Sequence, residues 1–321
     1  MPVGNSDKGI GLWSGQLMLG VDNNYQNIIW SHPEINNENA NYEIGDGDHS
    51  GELSTKIISP TITIGLSDYW NMTITQTFGI RSMIWGKDWD SMHHRSENTT
   101  SNFKNAIGGV VGDSRLIFRY LILNDGAGPG RRLFMGFGVI RPSKNTLTSS
   151  PFFENSDETV EHRHFSISQG IYKSILETQY FIKSKSNPVF YGGTLTFELP
   201  FSKNEYGYKA PNLIDLSLSA MSKKSNLIKG SYSLSMLVRY SSEEYWNDIP
   251  TPNSESLIFI PGIGFLWNRD FGTVTINIQK PYIINGSISG TEGLTEEKTD
   301  VYQISISMRK VLRHSLKFLE K

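Results

Sequence analysis

The sequence predicts an all-β protein, a transmembrane up-and-down antiparallel β-barrel of about twelve strands. Three observations predict it. Apolar and polar residues alternate along nearly the whole chain, whereas helical spacing is almost absent. Connections between the alternating runs switch between short and long, and aromatic residues gather where the runs end.

The elements follow in order. The first run, 10–22, carries Trp13 near its start. In the second, 54–67, Ile58, Pro60, Ile62, Ile64 and Leu66 oppose Ser59, Thr61 and Thr63. Trp70 and Trp85 bracket the third, 70–85, and the next three occupy 112–124, 130–142 and 163–183. In the seventh, 188–200, Tyr191, Leu195, Phe197 and Leu199 form an apolar face against Gly192, Thr194, Thr196 and Glu198. The eighth, 212–222, sets Ile214, Leu216 and Leu218 against Asp215, Ser217 and Ser219. The ninth, 229–241, sets Tyr232, Leu234, Met236 and Val238 against Ser233, Ser235 and Arg239, and the tenth is 256–268. Val274, Ile276 and Ile278 alternate with Thr275, Asn277 and Gln279 in the eleventh, 271–281. Tyr302, Ile304, Ile306 and Met308 alternate with Gln303, Ser305, Ser307 and Arg309 in the last, 300–311.

Short connections fall at 68–69, 125–129, 184–187, 223–228 and 269–270, and longer polar ones at 23–53, 86–111, 143–162, 201–211, 242–255 and 282–299. In a meander, strict alternation puts every long loop at one end and every tight turn at the other. Bacterial outer-membrane barrels have that asymmetry, with short periplasmic turns and an even strand number. The chain is expected to form one domain, 1–321, with the barrel at about 10–311 and a C-terminal tail at 312–321.

Composition excludes several classes. Hydrophobic residues make up 37% of 321, too few for a helical membrane protein, and 12% aromatics with this patterning exclude a disordered chain. A formal net charge of -2 offers nothing to nucleic acid. The absence of Cys removes disulfide scaffolds, Cys-ligated metals and thiol nucleophiles. No basic-then-apolar leader is visible in Met1-Pro2-Val3-Gly4-Asn5, so export would require that this numbering begin after the leader was removed.

Alternation alone does not say which face points inward, because a soluble sandwich and a membrane barrel both alternate. Run length and number decide. Segments of about ten residues span a bilayer when tilted, and twelve meander strands enclose a lumen too wide for side chains alone to fill. Trp13, Trp70, Trp85, Tyr120, Tyr180, Tyr240 and Trp267 at run ends match an interfacial girdle. Parity then assigns Arg81, Arg115, Arg119, Arg239 and Arg309 to the lumen with Glu177, Glu198 and Asp215. A midplane Arg or Lys facing lipid would cost about 2–4 kcal/mol. These charges form either a selectivity ring or an ion-paired plug, and their mixed signs argue against strong ion selectivity.

Certain short motifs resemble a known family. Gly112-Asp113-Ser114-Arg115 leads into Phe118-Arg119-Tyr120, and Gly136-Phe137-Gly138-Val139-Ile140-Arg141-Pro142-Ser143 follows. Ile260-Pro261-Gly262-Ile263-Gly264 and Ile278-Gln279-Lys280-Pro281 continue the likeness. From about Ser54 to Leu312 the chain resembles the "meta-pathway of phenol degradation" group of outer-membrane transporters. Ser143 and Ser168-Gln169-Gly170 depart from the Gly expected there. The resemblance implies an outer-membrane barrel acting as a channel for small, often apolar molecules, and it supplies no catalytic residues.

Other clusters read as ordinary surface. Asp88, Asp90, His93 and His94 share one loop, and Glu154, Asp157, Glu158, Glu161, His162 and His164 lie in or border another, but their spacing matches no metal motif. Asp46-Gly47-Asp48-His49-Ser50-Gly51-Glu52 is too short for a calcium loop and reads as a Gly-rich turn. His164-Phe165-Ser166 sets an imidazole and a hydroxyl on one face of a strand, locally similar to outer-membrane lipid hydrolases. No orienting third residue accompanies them, and the pair would face the lumen.

The expected protein is therefore not an enzyme. It is a porin-like, passive channel in the outer membrane of a Gram-negative bacterium, taking up small and in part apolar or aromatic solutes. It contacts the lipid bilayer, requires no cofactor or metal, and binds no nucleic acid. Three alternatives stay open: a structural or adhesive barrel with a closed lumen and partner-binding loops, a soluble β-rich binding protein, and an outer-membrane lipid hydrolase.

Overall fold

The computed structural model describes residues 11–35, 44–85, 98–100, 106–126, 128–150, 165–251, 254–286 and 298–319. Twelve long strands lie within them: β1 Gln16–Ile35, β2 Ile44–Gly65, β3 Trp70–Trp85, β4 Val111–Asn124, β5 Gly130–Arg141 and β6 Lys173–Lys183 in the first half. The second half supplies β7 Phe190–Pro200, β8 Leu213–Met221, β9 Ser231–Ser241, β10 Ser256–Arg269, β11 Gly272–Gln279 and β12 Lys298–Ser315. Each pairs antiparallel with the next in sequence, and β12 returns to β1, so the sheet closes as a barrel. Closure leaves no open edge among these strands, which satisfies the backbone without water. Three two-residue strands, Tyr208–Lys209, Tyr245–Trp246 and Ile249–Pro250, form a small separate sheet within the long connections.

The pleat sorts the residues as predicted, apolar outward and polar inward. On the outer wall Met135, Phe137 and Val139 of β5, Leu176 of β6 and Ile304 and Ile306 of β12 are exposed. Between them the polar partners are sealed inside: Ser305 is 0% exposed, and Gln179, Gln303 and Ser307 are each 1% exposed. Gln303 donates to Gln279 Oε1 at 2.6 Å across β11 and β12. A soluble barrel would show the reverse, so this is the inside-out pattern of a lipid-immersed wall. Aromatics crowd the short-turn rim. Trp70 lies 4.9 Å from Tyr120, Phe265 stacks 5.9 Å from Trp267, and the Trp267 indole donates to the Ile228 carbonyl at 2.9 Å. Trp13 is exposed at that rim and Tyr180 faces outward, while Tyr240 donates to Glu255 at 2.6 Å toward the other end.

Four boundaries differ from the sequence reading. The region 23–53 is not a loop: β1 and β2 run on to Ile35 and back from Ile44, pairing Trp30 with Gly51 and Pro33 with Asp48. Asp46–Glu52 is therefore strand rather than a Gly-rich turn. Outside the bilayer a strand needs no apolar face, so the ladder continues where the alternation fades. Second, β1 begins at Gln16, and the chain before it turns into the lumen, where buried Leu12 donates its amide to Asn71 Oδ1. Third, β6 begins at Lys173 and not near 163, because residues 165–172 fold into the barrel mouth. Last, β12 extends to Ser315, opposite Gln16, so the first residues of the expected tail belong to the closing seam.

Candidate functional site: the barrel lumen

All eight charged residues assigned to the lumen by parity are found there or at its mouth. The widest arrangement follows one hydrogen-bonded row through β4, β5, β6, β7, β8 and β9: Arg119, Gly136, Glu177, Thr196, Asp215 and Arg239. Arg119 Nε contacts Glu177 Oε1 at 2.6 Å, Nη1 donates to Thr73 Oγ1 at 3.0 Å, and Gln179 donates to the same Glu177 oxygen at 2.9 Å. Arg119 can reach Glu177 because the intervening strand presents Gly136. A Cβ there would sit 3.3 Å from Arg119 Cγ and 3.4 Å from Glu177 Cβ. Farther along the row Arg239 grips Asp215, with Nε 2.7 Å from Oδ1.

Toward the long-loop end, Arg115 of β4 crosses two strands to Glu198 of β7 at 2.5 Å, and Lys173 Nζ approaches the second Glu198 oxygen at 3.8 Å. On the opposite wall Arg309 of β12 reaches Asp22 of β1 at 2.5 Å, lying over Gly20, where any Cβ would overlap it. Asp22 and Lys173 complete these pairs and were missed in the sequence. Asp22 sits where the alternation fades, and Lys173 sits at the true start of β6. Both share the inward parity of Gly20 and Ile175, which is the signal that identifies them.

Arg81 stands apart from the ladder. Its Nη1 donates to the Ser166 carbonyl at 2.8 Å, and its backbone amide donates to Thr99 Oγ1. It thereby holds residues 165–172 in the mouth. Asn145 braces the same segment, accepting from the Ile167 amide at 3.0 Å through Oδ1. Phe165 packs with Trp30, Leu53 and Met83, and Ile171 packs with Tyr208, Ala210 and Trp246. Phe165 and Ser166 of the His164-Phe165-Ser166 element are thus not on a strand. His164 lies outside the described residues, as do the acidic and His-containing groups of 88–94 and 154–162. Tyr208 donates to Glu244 at 2.5 Å within this cap, and burial together with the Glu244 charge pushes its phenol well above the usual value near 10.

The lumen is not uniformly polar. Ile117, Ile140 and Ile175 form an inward cluster, each at most 9% exposed. Below them Leu12, Phe134 and Phe181 are buried, with Phe181 stacked 5.0 Å from Phe190. Arg119, Arg239 and Arg309 each meet a carboxylate, Arg115 and Lys173 share Glu198, and among the described residues these charges form no ring of one sign. Each buried pair stays favourable only while both partners remain.

A closed twelve-strand barrel with an apolar outer wall, an aromatic rim and a polar lumen defines the outer-membrane β-barrel class. The chain aligns with the crystal structure of an outer membrane channel from Pseudomonas putida F1 at a TM-score of 0.58 and 12% identity, covering 97% of this chain and 100% of that one. It is similar to that channel in fold. Looser overlaps occur with a FadL homologue from Pseudomonas aeruginosa (TM-score 0.39, 8% identity, 92% and 90% of the two chains) and with the monoaromatic hydrocarbon channel CymD (0.38, 10%, 94% and 90%). Neither overlap is close enough to carry an argument. No protein-family model matches the chain, and no curated protein matches it.

Proposed function

We propose that this protein is an outer-membrane channel that passes small apolar or aromatic molecules passively, with no catalytic step and no cofactor. The observation that carries the reading is a pair of apolar patches on the inward face, Phe134 with Phe181 and Ile140 with Ile175, on either side of charges held in ion pairs. A pore for ions would gain from an uncompensated ring of charge; an apolar solute gains from a wall that offers none. Likeness in fold to the Pseudomonas putida F1 channel supports the channel reading, and the motif resemblance to the phenol meta-pathway group supports the solute class. A Gram-negative outer membrane is the location that both imply.

The folded-in mouth favours a second reading, a structural barrel with a closed lumen and partner-binding loops. Uptake of an aromatic hydrocarbon into proteoliposomes, compared with ion conductance in planar bilayers, separates the two. The channel reading expects solute entry above protein-free vesicles with small or absent ion steps. Phe134→Arg together with Phe181→Arg should abolish that entry. Vesicles that take up no solute would leave the structural barrel as the function.

A further inference from the structure

We propose that the outer wall of β6, β7 and β8 carries a binding site for one anionic glycerophospholipid of the periplasmic leaflet. The inference rests on membrane placement of the barrel and goes beyond its transport role. A groove of about 470 Å³ opens on this wall, lined by Thr178, Tyr180, Tyr191, Leu195, Leu216 and Leu218. Gly193 forms its floor. Register places Gly193 between Tyr180 and Leu218, with Thr178, Leu195 and Leu216 one row farther from the short turns. Each of those neighbours projects a side chain, whereas Gly193 projects none, so the apolar wall is indented at that point. A Cβ on Gly193 would lie 2.5 Å from Leu218 Cδ2 and 2.6 Å from the Ser217 carbonyl, so Leu218 leans over the glycine and forms one edge of the groove. The indentation is continuous with the lipid-facing belt, and its shape suits an acyl chain.

What lies directly beneath the groove identifies the headgroup. The two turns at the lower ends of its strands, 184–189 between β6 and β7 and 222–230 leaving β8 for β9, carry Lys185, Lys223, Lys224 and Lys229, with Lys183 at the last position of β6. Neither turn contains Asp or Glu. Lys185, Lys223, Lys224 and Lys229 are exposed, and none is ion-paired to a described residue. The turns touch, since the Lys223 amide donates to Asn187 Oδ1 at 3.0 Å, so their lysines form one cluster. From Tyr180 to Lys183 is three residues, about 10 Å along the strand. That is the separation between a phosphate at the interface and the first methylenes of its chains. Leu227, 86% exposed in the second turn between Lys224 and Lys229, offers an apolar contact at the same level. Tyr180 and Tyr191 stand at the boundary, where amphipathic rings settle. An anionic phosphate above an apolar tail matches this sequence of surfaces, lysines, then tyrosines, then the groove.

Native mass spectrometry of the detergent-released full chain tests the site, titrated with phosphatidylglycerol and phosphatidylethanolamine of matched acyl chains. The expected result is a one-to-one phosphatidylglycerol adduct formed about tenfold more readily, as several lysines at a membrane surface provide. Replacing Lys185, Lys223, Lys224 and Lys229 by Gln should erase the preference, and Thr178→Trp, which fills the groove while keeping the lysines, should weaken the adduct. Equal binding of the two lipids by the unaltered chain overturns the proposal without any variant. Full adduct in Thr178→Trp overturns the groove assignment. A dimer that excludes lipid makes a second copy of the chain the occupant and overturns it as well. Failure of the unaltered chain to show heat-modifiable migration would instead strike at membrane placement itself, independently of the lipid result.

Discussion

At Gly136 the missing side chain is what allows Arg119 to cross a whole strand to Glu177, so a small residue on β5 and two charges on its neighbours form one unit. Both charges are nearly sealed from water, with side chains 9% and 6% exposed. Desolvation of each is offset by the other, and removing one leaves its partner buried alone. Arg119→Met or Glu177→Gln should each cost about 3–5 kcal/mol. The double variant should cost much less than the sum, which urea unfolding in phospholipid vesicles can measure as a double-mutant cycle. Gly136→Val should mimic the single variants by pushing the guanidinium aside. Additive costs would mean that the pair is incidental. At this scale parity was the legible signal, since the eight charges it groups together lie on one face of their strands, Arg81 at the mouth and the others farther in. What it did not contain was the pairing. Arg115 reaches Glu198 across two strands, a relation set by side-chain length and strand stagger rather than by spacing along the chain. The short lumen motifs take their meaning from this: Gly136 and Gly138 face inward beneath longer side chains, and Asp113 accepts the Ser143 amide at 3.0 Å.

Elements were legible where lipid forces alternation and less so where water or the lumen removes that demand. β7, β8, β9 and β12 could be read directly from their periodicity, since each residue faces either hydrocarbon or lumen. The hairpin of β1 and β2 beyond Trp30 gave no such signal, and residues 165–172 looked like strand while filling the mouth instead. The end of β12 belongs to the same class. Ser315 lies opposite Gln16, the Leu316 amide donates to the Gly15 carbonyl at 2.8 Å, and Ser14 bonds the Leu319 carbonyl. These contacts fasten the segment that carries Leu12 into the lumen. Deleting 313–321 should therefore lower the temperature of the folded-to-unfolded gel shift and open the backbone of 11–15 to protease, the loss being two or three hydrogen bonds at about 1 kcal/mol each. The barrel should still assemble, since most of the β1 and β12 ladder remains. An unchanged transition would return 313–319 to the status of a dangling tail.

Across the molecule, stability depends on a solvent that is oil outside and charge-paired inside. Leu176 tests this on the outer wall. It is 50% exposed on β6, the fourth of its eleven residues, and register sets it between Phe137 and Phe197 on the same outer face, about 13 Å along the strand from Tyr180 at the aromatic boundary. In water, a half-exposed Leu replaced by Arg is close to neutral, because the guanidinium is solvated and little packing is lost. In a bilayer the same substitution puts a cation into hydrocarbon and should cost about 2–4 kcal/mol, while at the rim the penalty shrinks toward zero. Leu176→Arg in phospholipid vesicles should therefore unfold at clearly lower urea than the parent, and Tyr180→Arg, four residues nearer the short turns, should lose much less. The gradient between the two positions carries the argument, because general damage to packing would not depend on depth. Equal and negligible losses would mean that the outer wall meets water, and the apolar belt would then need a protein partner to cover it.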